Sequence, residues 1–322
     1  MDLWQKLKKN KVNKGKPLMV LAPMANVTDM AFRRMFAKYG KPDVTWTEFV
    51  SADGLLSRGQ EILLKDLEYT EKERPIVAQL FTGHEDKMFE AAKLIKKLNF
   101  DGLDINMGCP DRAVEKQGGG ASMIKNKENA KVVIEAARRG AKGLPVSVKT
   151  RIGYNKIEIE EWIGFLLSQK LPALTVHLRT RKEMSDVPAH WELMKSIVEM
   201  KNKISPETLI IGNGDVSSLY EANEKARETG CDGIMIGRGI FGNPWFFSGR
   251  KTEEISVKEK LKVLVEHTKL FEKLLCDVKS FAVMKKHFKA YVSGFDGAKE
   301  LRVKLMETNN SKEVEKIINL IV

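Results

Sequence analysis

The fold of this chain is most constrained by one repeated pattern in its first 247 residues, in which a short apolar run is followed by a polar or glycine-rich turn and an amphipathic helical stretch. The eight runs cover residues 18–22, 44–50, 75–81, 101–106, 145–150, 173–178, 208–214 and 232–237. Consecutive runs begin 24 to 44 residues apart, which leaves room for a crossover helix between parallel strands. Several runs carry β-branched and apolar residues on consecutive positions, as strands buried on both faces do. The pattern therefore predicts eight parallel strands.

Eight strand–helix units in about 250 residues are typical of a (β/α)8 barrel, also called a TIM barrel. A doubly wound open sheet is the alternative, but it usually has fewer strands. We therefore predict an α/β chain built on the barrel. Its first crossover helix is expected to begin at Thr28 or Asp29 and to end at Gly40, and the helix within residues 129–140 is expected to end at Gly140.

After Pro244 the alternation stops, and every later segment is predicted to be helical. The expected helices lie within residues 257–277, 280–294, 297–308 and 311–322, with breaks at the intervening glycine and asparagine residues. Three parts are expected as a result. These are a loose basic amino-terminal segment (1–16), the barrel (17–250) and a small all-helical carboxyl-terminal domain (251–322).

Several classes of protein are excluded by the sequence. No apolar run approaches the roughly 18 residues that a membrane-spanning helix needs, and the lysine-rich start lacks the apolar core of a secretory signal. The three cysteines lie more than forty positions apart, so no paired spacing indicates a disulfide framework or a structural zinc site. We expect a cytoplasmic protein without a metal centre.

The net charge of +12 is concentrated at the two ends of the chain. Residues 1–16 carry +5 and residues 251–322 carry +4, while the 234 residues between them carry only +3. A polyanion such as RNA would bind such a chain. Lysine-rich, solvated helix faces would have the same charge, so charge alone leaves both interpretations open.

The residues at the ends of the eight predicted strands are unusually polar as a set. In a (β/α)8 barrel the carboxyl ends of the strands meet at one mouth, where the active site lies. The residues found there are Pro23 and Met24, Glu48, Gln79, Asn106 with Cys109, Lys149, His177 with Arg179, Asn213 with Asp215, and Gly237 with Arg238. Because eight strand ends of eight carry such residues, an enzyme site is the better interpretation.

The residue types narrow the chemistry of this site. It has no pair of carboxylates suited to glycoside hydrolysis, and one Cys and one His are too few for a metal centre. The loops 212–215 and 237–244 are rich in glycine, and the loops after strands seven and eight commonly bind phosphate in this fold, here with Arg238 as a cation. The glycines of 237–242 also match the dinucleotide fingerprint. We reject that interpretation because the match comes at the last strand and no acidic residue lies about 20 positions later at the end of a following strand.

A flat, phosphorylated heterocycle such as FMN would suit this site. Lys149 would lie at the N1/O2 edge of the ring and Gln79 at its pyrimidine edge. Lys149 could equally be a catalytic, salt-bridged or Schiff-base lysine of another barrel enzyme. Cys109 could donate a proton or could be a buried small hydrophobic residue. The spacing leaves both questions open.

Longer strings resemble the tRNA-dihydrouridine synthase family. They are LAPMANVTDMAFRRMF, DINMGCPDRAVEKQGGGASM, VSVKTRIGYN, TVHLRTR, and GNGDVSS followed by DGIMIGRGIFGNPW, in the order found in that family. The resemblance implies an FMN enzyme that reduces the C5–C6 double bond of a uridine in tRNA, with NADPH as reductant. It also implies that the helical tail binds RNA.

The resemblance assigns roles to individual residues. Cys109 would donate a proton to C5 while flavin N5 gives hydride to C6, and Asn106 would hold the uracil. The residues expected to bind FMN are Pro23, Met24, Gln79, Lys149, His177, Asn213, Gly214, Asp215, Gly237 and Arg238. Arg179 and Arg181 are expected near the substrate, although the segment 178–191 departs from the family pattern at Leu178 and at residues 185–187.

The tail contains a basic cluster without acidic residues. It consists of Lys279, Lys285, Lys286, His287 and Lys289. We expect Lys285, Lys286 and Lys289 to contact tRNA phosphates, although a solvated helix face would have the same pattern. An FMN enzyme acting on a free pyrimidine, of the dihydroorotate or dihydropyrimidine dehydrogenase type, and a non-catalytic RNA-binding barrel are the alternatives. A monomer is expected.

Overall fold

The computed structural model describes residues 1–321, except the side chain of Thr252, and has eight parallel strands. They are β1 (Leu18–Leu21), β2 (Thr45–Ser51), β3 (Ile76–Phe81), β4 (Gly102–Met107), β5 (Val146–Arg151), β6 (Ala173–His177), β7 (Leu209–Asn213) and β8 (Gly233–Ile236). The hydrogen-bonded order is β1-β8-β7-β6-β5-β4-β3-β2. A parallel bridge between Val20 and Val44 joins β1 to β2. The predicted (β/α)8 barrel is confirmed.

Helices connect the strands and form the carboxyl-terminal part of the chain. They are α1 (Leu3–Asn10), α2 (Met30–Tyr39), α3 (Ala52–Leu55), α4 (Gln60–Leu67), α5 (Glu85–Lys97), α6 (Arg112–Lys116), α7 (Lys127–Ala141), α8 (Gly164–Ser168), α9 (Met194–Ile204), α10 (Leu219–Thr229), α11 (Val257–Leu275), α12 (Val283–Tyr291), α13 (Ala298–Met306) and α14 (Ser311–Asn319). A short π-helix (Ile159–Ile163) precedes α8. The last four confirm the helical tail; Val322, the final residue of the predicted last helix, lies outside the described residues.

Helix α2 begins and ends at the predicted residues, whereas α7 ends later than predicted. Asp29 caps α2 by accepting a hydrogen bond from the Phe32 amide at 3.0 Å, and Gly40 ends the helix. The prediction that Gly140 ends α7 was wrong, since the helix continues to Ala141. A Cβ atom at position 140 would lie 2.2 Å from the carbonyl oxygen of Phe89 in α5. This glycine lets two crossover helices pack closely rather than stopping one of them.

The amino-terminal segment is ordered, so the prediction of a loose start was wrong. Asp2 caps α1 by accepting a hydrogen bond from the Gln5 amide at 2.9 Å. Trp4 is only 1% exposed, and its ring centroid lies 5.8 Å from that of Trp46 in β2. Trp4 belongs to the apolar cluster formed by strand residues such as Val20 and Ile211. One tryptophan therefore anchors a helix that is otherwise rich in lysine.

The carboxyl-terminal helices pack on the barrel beside α2. Helix α11 contacts α2 and α14. His267 of α11 and His287 of α12 are fully buried against Phe32 of α2, with ring centroids 4.9 Å and 4.8 Å from the phenylalanine ring. Among the described residues there is no helix with the length and apolar character needed to cross a membrane.

Candidate active site

A cavity of about 530 Å³ opens at the carboxyl ends of the strands. Its wall comes from the loops that follow β1, β6, β7 and β8 and from one residue each of β5, β6, β7 and β8. The lining includes the predicted residues Pro23, Met24, Lys149, His177, Arg179, Asn213, Gly214, Asp215, Gly237 and Arg238. It also includes residues that were not predicted, namely Ala22, Ser185, Val216, Ser217, Met235 and Gly239. The tertiary structure thus gathers in one cavity side chains that lie more than 200 positions apart in sequence.

Glycines shape the wall formed by the loops after β7 and β8. Gly214 has φ +134°, and a Cβ atom there would lie 2.7 Å from the Cβ atom of Ala189. A Cβ atom at Gly239 would lie 2.4 Å from the Val216 carbonyl oxygen, so the two loops touch through their backbones. At Gly237 the nearest atom would be the sulfur of Met24, at 3.7 Å. The missing side chain there leaves space on the wall beside the loop that follows β1.

Asp215 links two arginines at the rim of the cavity. Its Oδ2 atom accepts hydrogen bonds from Arg179 and from the Ala189 amide, and its Oδ1 atom accepts one from Arg238 at 2.6 Å. Burial raises the pKa of Asp215, but the hydrogen bonds from Arg179 and Ala189 and the charges of both arginines outweigh it and lower the pKa below its usual value. The Arg238 side chain is 61% exposed, which leaves it free to turn towards an anion.

Arg179, by contrast, is almost fully buried and has internal partners. It donates from Nε to the Val187 carbonyl oxygen at 2.6 Å and from Nη1 to Nε2 of His177 at 3.2 Å. Since the arginine can only donate, Nε2 of His177 is the acceptor and carries no proton. Burial and the cations Lys149 and Arg151 lower the pKa of His177 well below its usual value, so this imidazole is neutral.

Lys149 is the cation of the inner wall. Burial and the charge of Arg151 lower the pKa of Lys149 to about 8, and Asp104 opposes the shift. At neutral pH most of this lysine carries a positive charge, which can stabilise negative charge on a ligand ring. The ammonium would lose its proton just above the physiological range.

Gln79 and Asn106 lie deeper, in a chain of buried polar side chains. The side-chain nitrogen Nε2 of Gln79 donates a hydrogen bond to Oδ2 of Asp104 at 2.7 Å. Its side-chain oxygen Oε1 accepts one from Nδ2 of Asn106 at 3.1 Å. Ser147 donates to the other oxygen of Asp104 at 2.5 Å. Burial raises the pKa of Asp104 to about 6, although the hydrogen bonds from Gln79 and Ser147 oppose the shift. These hydrogen bonds join the middle of β3 and β4 to the first part of β5.

Cys109 lies on a loop that two buried side chains hold in place. Oδ1 of Asn106 accepts hydrogen bonds from the amides of Gly108 at 3.1 Å and Cys109 at 2.9 Å, and Arg151 donates to the Gly108 carbonyl oxygen at 2.9 Å. Gly120 has φ +59°, and a Cβ atom there would lie 2.6 Å from the carbonyl oxygen of Cys109. Burial raises the pKa of the Cys109 thiol above its ordinary value, despite the nearby charges of Lys149 and Arg151. The thiol therefore keeps its proton at neutral pH.

The segment 178–191 is held against the same loop. Arg151 donates from Nη1 to the carbonyl oxygens of Thr180 and Met184, both at 2.9 Å. Arg181 is paired with Glu115 of α6 at 2.7 Å and donates to the Pro110 carbonyl oxygen at 3.3 Å. Sequence reasoning missed Arg151, although it is the last residue of β5 and so was open to the strand-end argument used for Lys149.

The basic cluster of the tail divides into exposed and buried residues. Lys286 and Lys289 on α12 are exposed, and Lys285 is half-buried. His287, a member of the cluster in sequence, does not lie on the surface, because its side chain is fully buried between α2 and α11. Lys279 is also turned away from solvent and forms ion pairs with Glu48 and Asp66 of the barrel.

Comparison with known proteins shows the family. The family model for dihydrouridine synthases matches residues 20–321. The chain belongs to the dihydrouridine synthase family. The resemblance inferred from the sequence motifs is thereby confirmed. Since dihydrouridine synthases are flavin-dependent oxidoreductases, the prediction of a flavin enzyme is confirmed at that level.

Relatives match nearly the whole length of the chain. The protein named probable tRNA-dihydrouridine synthase in Staphylococcus aureus (strain COL) is 40% identical over 307 residues, covering 94% of this chain and 93% of that protein. The protein named probable tRNA-dihydrouridine synthase 2 in Bacillus subtilis (strain 168) is also 40% identical, covering 94% of each chain. This dihydrouridine synthase family member therefore aligns with them across both the barrel and the helical tail.

Solved structures share the fold at low identity. Morphinone reductase aligns with a TM-score of 0.53 and 13% identity, covering 72% of this chain and 84% of that chain. A 2-naphthoyl-CoA reductase aligns with a TM-score of 0.56 and 9% identity, covering 71% of this chain and 49% of that chain. These alignments support the barrel architecture that the strand order shows.

Proposed function

We propose that this member of the family reduces the C5–C6 double bond of a specific uridine in tRNA to 5,6-dihydrouridine, using FMN as cofactor and NADPH as reductant. The observation that carries the proposal is the placement of a protonated thiol, Cys109, on a fixed loop beside the glycine-lined cavity that holds Lys149 and Arg238. Such a reduction uses a proton donor, a cation that stabilises negative charge and a site that binds the cofactor phosphate, and Cys109, Lys149 and Arg238 would fill these roles.

The residues of the cavity fit FMN. The space at Gly237 and the backbone of Gly214 would receive the phosphate, and Arg238 would supply a charge-assisted hydrogen bond to it. Lys149 would face the ring edge on which negative charge develops, and Pro23 and Met24 would pack beside the ring. The remaining proposed contacts are Gln79, His177, Asn213 and Asp215. FMN, when bound, would supply the hydride for C6 of the uracil.

Cys109 would supply the proton for C5. Burial raises the pKa of the thiol, so at neutral pH a proton is present to be given. Asn106 would take part in holding the uracil as well as the thiol loop, since one hydrogen of its Nδ2 atom has no acceptor among the described residues. Arg179 and Arg181 hold the segment 178–191 in place, and this segment would lie next to the bound substrate.

The barrel and the helical tail would have different roles, catalysis and tRNA binding. Residues 17–250 would form the catalytic barrel, with 1–16 as its basic amino-terminal segment, and residues 251–322 would bind tRNA. Lys285, Lys286 and Lys289 on α12 would contact phosphates, because α12 presents at least two of these ammonium groups to solvent. A uridine must leave its stack to enter a barrel mouth, and contacts to the RNA backbone outside the mouth would offset that cost. The enzyme would act as a monomer in the cytoplasm.

Nucleoside mass spectrometry tests the proposal. Transfer RNA lacking dihydrouridine is incubated with the full-length chain, FMN and NADPH, and a mass gain of two hydrogens is mapped to a uridine. The matched control is a reaction without NADPH. Oxidation of NADPH without a modified uridine would instead favour a flavin enzyme of free pyrimidines, and absence of bound flavin would contradict the cofactor assignment.

A further inference from the structure

One lysine of the helical tail reaches into the barrel beside the cavity. Lys279 lies in the segment between α11 and α12, and its side chain is 12% exposed. Its ammonium nitrogen is 2.6 Å from Oε2 of Glu48 in β2 and 2.7 Å from Oδ1 of Asp66 in α4. The Glu48 side chain is only 4% exposed. This ion pair is the buried electrostatic link between the tail and the strands.

The same glutamate holds the loop that lines the cavity. The second oxygen of Glu48, Oε1, accepts a hydrogen bond from the backbone amide of Asn26, whose φ is +54°. Asn26 lies in the β1–α2 loop, which carries Pro23 and Met24 into the cavity wall. The loop is closed on its other side by a hydrogen bond of 2.8 Å from the Met24 amide to Oγ1 of Thr28. A direct chain of contacts therefore runs from the tail to the cavity wall.

The charges around Glu48 make the lysine necessary. Burial raises the pKa of Glu48 to about 7, Lys279 opposes the shift, and the carboxylates of Asp66 and Asp29 add to it. Arg33, the cation nearest to Asp29 in sequence, is already paired with the buried Glu73 at 2.9 Å. Without Lys279, Glu48 would lie buried beside two other acidic side chains and would lose its fixed position.

We propose that Lys279 is a positioning residue for the cofactor cavity, acting through Glu48 and Asn26 on the β1–α2 loop. Docking of the helical tail is then part of building the cavity and not only a means of holding RNA. The proposal rests on the proposed function, because it takes the cavity at Pro23 and Met24 to be the flavin site. The part of the proposal that concerns the ordering of the β1–α2 loop by Lys279 does not depend on the flavin.

The test compares Lys279→Met and Lys279→Arg with a matched control in the full-length chain. The control is Lys38→Met, which removes another ion pair between barrel and tail, that of Lys38 with Glu266 at 2.6 Å. That pair is solvent-exposed, and neither residue lines the cavity. Amide hydrogen exchange of residues 22–29 is measured without FMN, and the FMN dissociation constant is measured by flavin fluorescence.

We expect Lys279→Met to accelerate exchange in residues 22–29 and to weaken FMN binding by about tenfold or more, since a buried hydrogen bond to a charged group is lost. Lys279→Arg should recover most of both losses, and Lys38→Met should change neither. Unchanged exchange and unchanged FMN affinity in Lys279→Met would overturn the inference. If the wild-type chain binds no FMN but Lys279→Met still loosens the loop, the proposed function fails and the positioning role stands.

A second variant separates positioning from general stability. Lys279→Met combined with Glu48→Gln removes both buried charges, so the free energy of unfolding should return towards that of the wild type. The tether to the tail is still absent, so FMN affinity should stay low. Recovery of FMN affinity together with stability would show that Lys279 has only a structural role and would overturn the inference.

Discussion

The Oδ1 atom of Asn106 accepts a hydrogen bond of 2.9 Å from the backbone amide of Cys109. Asn106 is the penultimate residue of β4, so this bond fixes the start of the cysteine loop to the most rigid part of the barrel. Because Nδ2 of the same side chain donates to Gln79, the orientation of the amide is determined at both ends. The thiol thereby has a defined place next to the cavity.

Replacing the thiol separates chemistry from binding. In Cys109→Ala we expect uridine reduction to fall by about 10²-fold or more, the usual contribution of a general acid, while FMN and tRNA still bind. The measurement is the rate of dihydrouridine formation on unmodified tRNA. The control is Cys276→Ala, since Cys276 is exposed at the end of α11. Wild-type rates in Cys109→Ala would remove Cys109 from the mechanism.

The affinity for FMN should depend on pH through Lys149. Burial lowers the pKa of Lys149 to about 8, so the positive charge is present below pH 8 and is lost as the pH rises through that value. FMN binding should therefore weaken above pH 8, by up to about tenfold per pH unit. Fluorescence titrations from pH 6.5 to 9.5 measure this. Lys149→Arg should shift the transition to higher pH, and the same transition in Lys149→Met would contradict the assignment.

The buried histidines should make the fold sensitive to acid. Burial lowers the pKa of His287 to about 3 and that of His267 well below its usual value. Both pKa values are depressed in the folded state, so the stability they contribute is present above about pH 6.5 and is lost as the pH falls below it. Each histidine should contribute a slope of up to about 1.4 kcal/mol per pH unit.

Urea unfolding of His287→Leu between pH 7.5 and 5 measures this contribution. The variant should lose stability less steeply than the wild type as the pH falls, because only His267 remains to be protonated at that contact. Lys289→Leu, on the exposed side of α12, leaves both buried histidines in place and should keep the steep dependence. Identical slopes for wild type and His287→Leu would refute the explanation.

Charge reversal on α12 should weaken tRNA binding. In Lys285→Glu with Lys286→Glu we expect lower affinity and a smaller salt dependence, because each lost phosphate contact reduces the logarithmic slope by roughly 0.7 to 0.9. Filter binding across a salt series provides the measurement. Lys87→Glu with Lys93→Glu on α5 changes the net charge equally and should have a smaller effect. Equal effects of the two double variants would show that only net charge matters.

Removal of Trp4 should destabilise the barrel. Because Trp4 is 1% exposed and packs on Trp46, Trp4→Ala should lower the free energy of unfolding by about 3–5 kcal/mol. Lys9→Ala, on the exposed face of the same helix, should change it by less than about 0.5 kcal/mol. A change in Trp4→Ala as small as that in Lys9→Ala would mean that α1 is not part of the folded core.

The barrel was predictable because its evidence is local and repeated. Strands such as β7 and β8 are buried on both faces, so their sequences are nearly continuous apolar runs whose ends can be predicted within one or two residues. Polar residues such as Lys149 and His177 could then be assigned to one mouth, because parallel strands bring their carboxyl ends together. Candidate residues of the cavity could therefore be named from the predicted strand ends alone.

The hydrogen-bond and ion-pair partners of individual side chains could not be predicted in the same way. Arg179 and Arg181 were both expected near the substrate, yet one is almost fully buried with Asp215 and His177 while the other is paired with Glu115. The pairing of Arg179 with Asp215 and that of Arg181 with Glu115 each join residues from different strand–helix units. Sequence spacing carries no information about such distances.

The amino-acid sequence by itself determined the number of strands, the helical tail, the family and the candidate mouth residues, because these depend on periodicity and on short motifs. Only the tertiary structure decided the environment of each side chain. Lys279 and Lys286 lie seven positions apart in one basic cluster, yet the first is buried in an ion pair with Glu48 and the second faces solvent. The physical reason is that burial depends on which distant segment packs against a residue, and that contact has no signature in the residue's own neighbourhood.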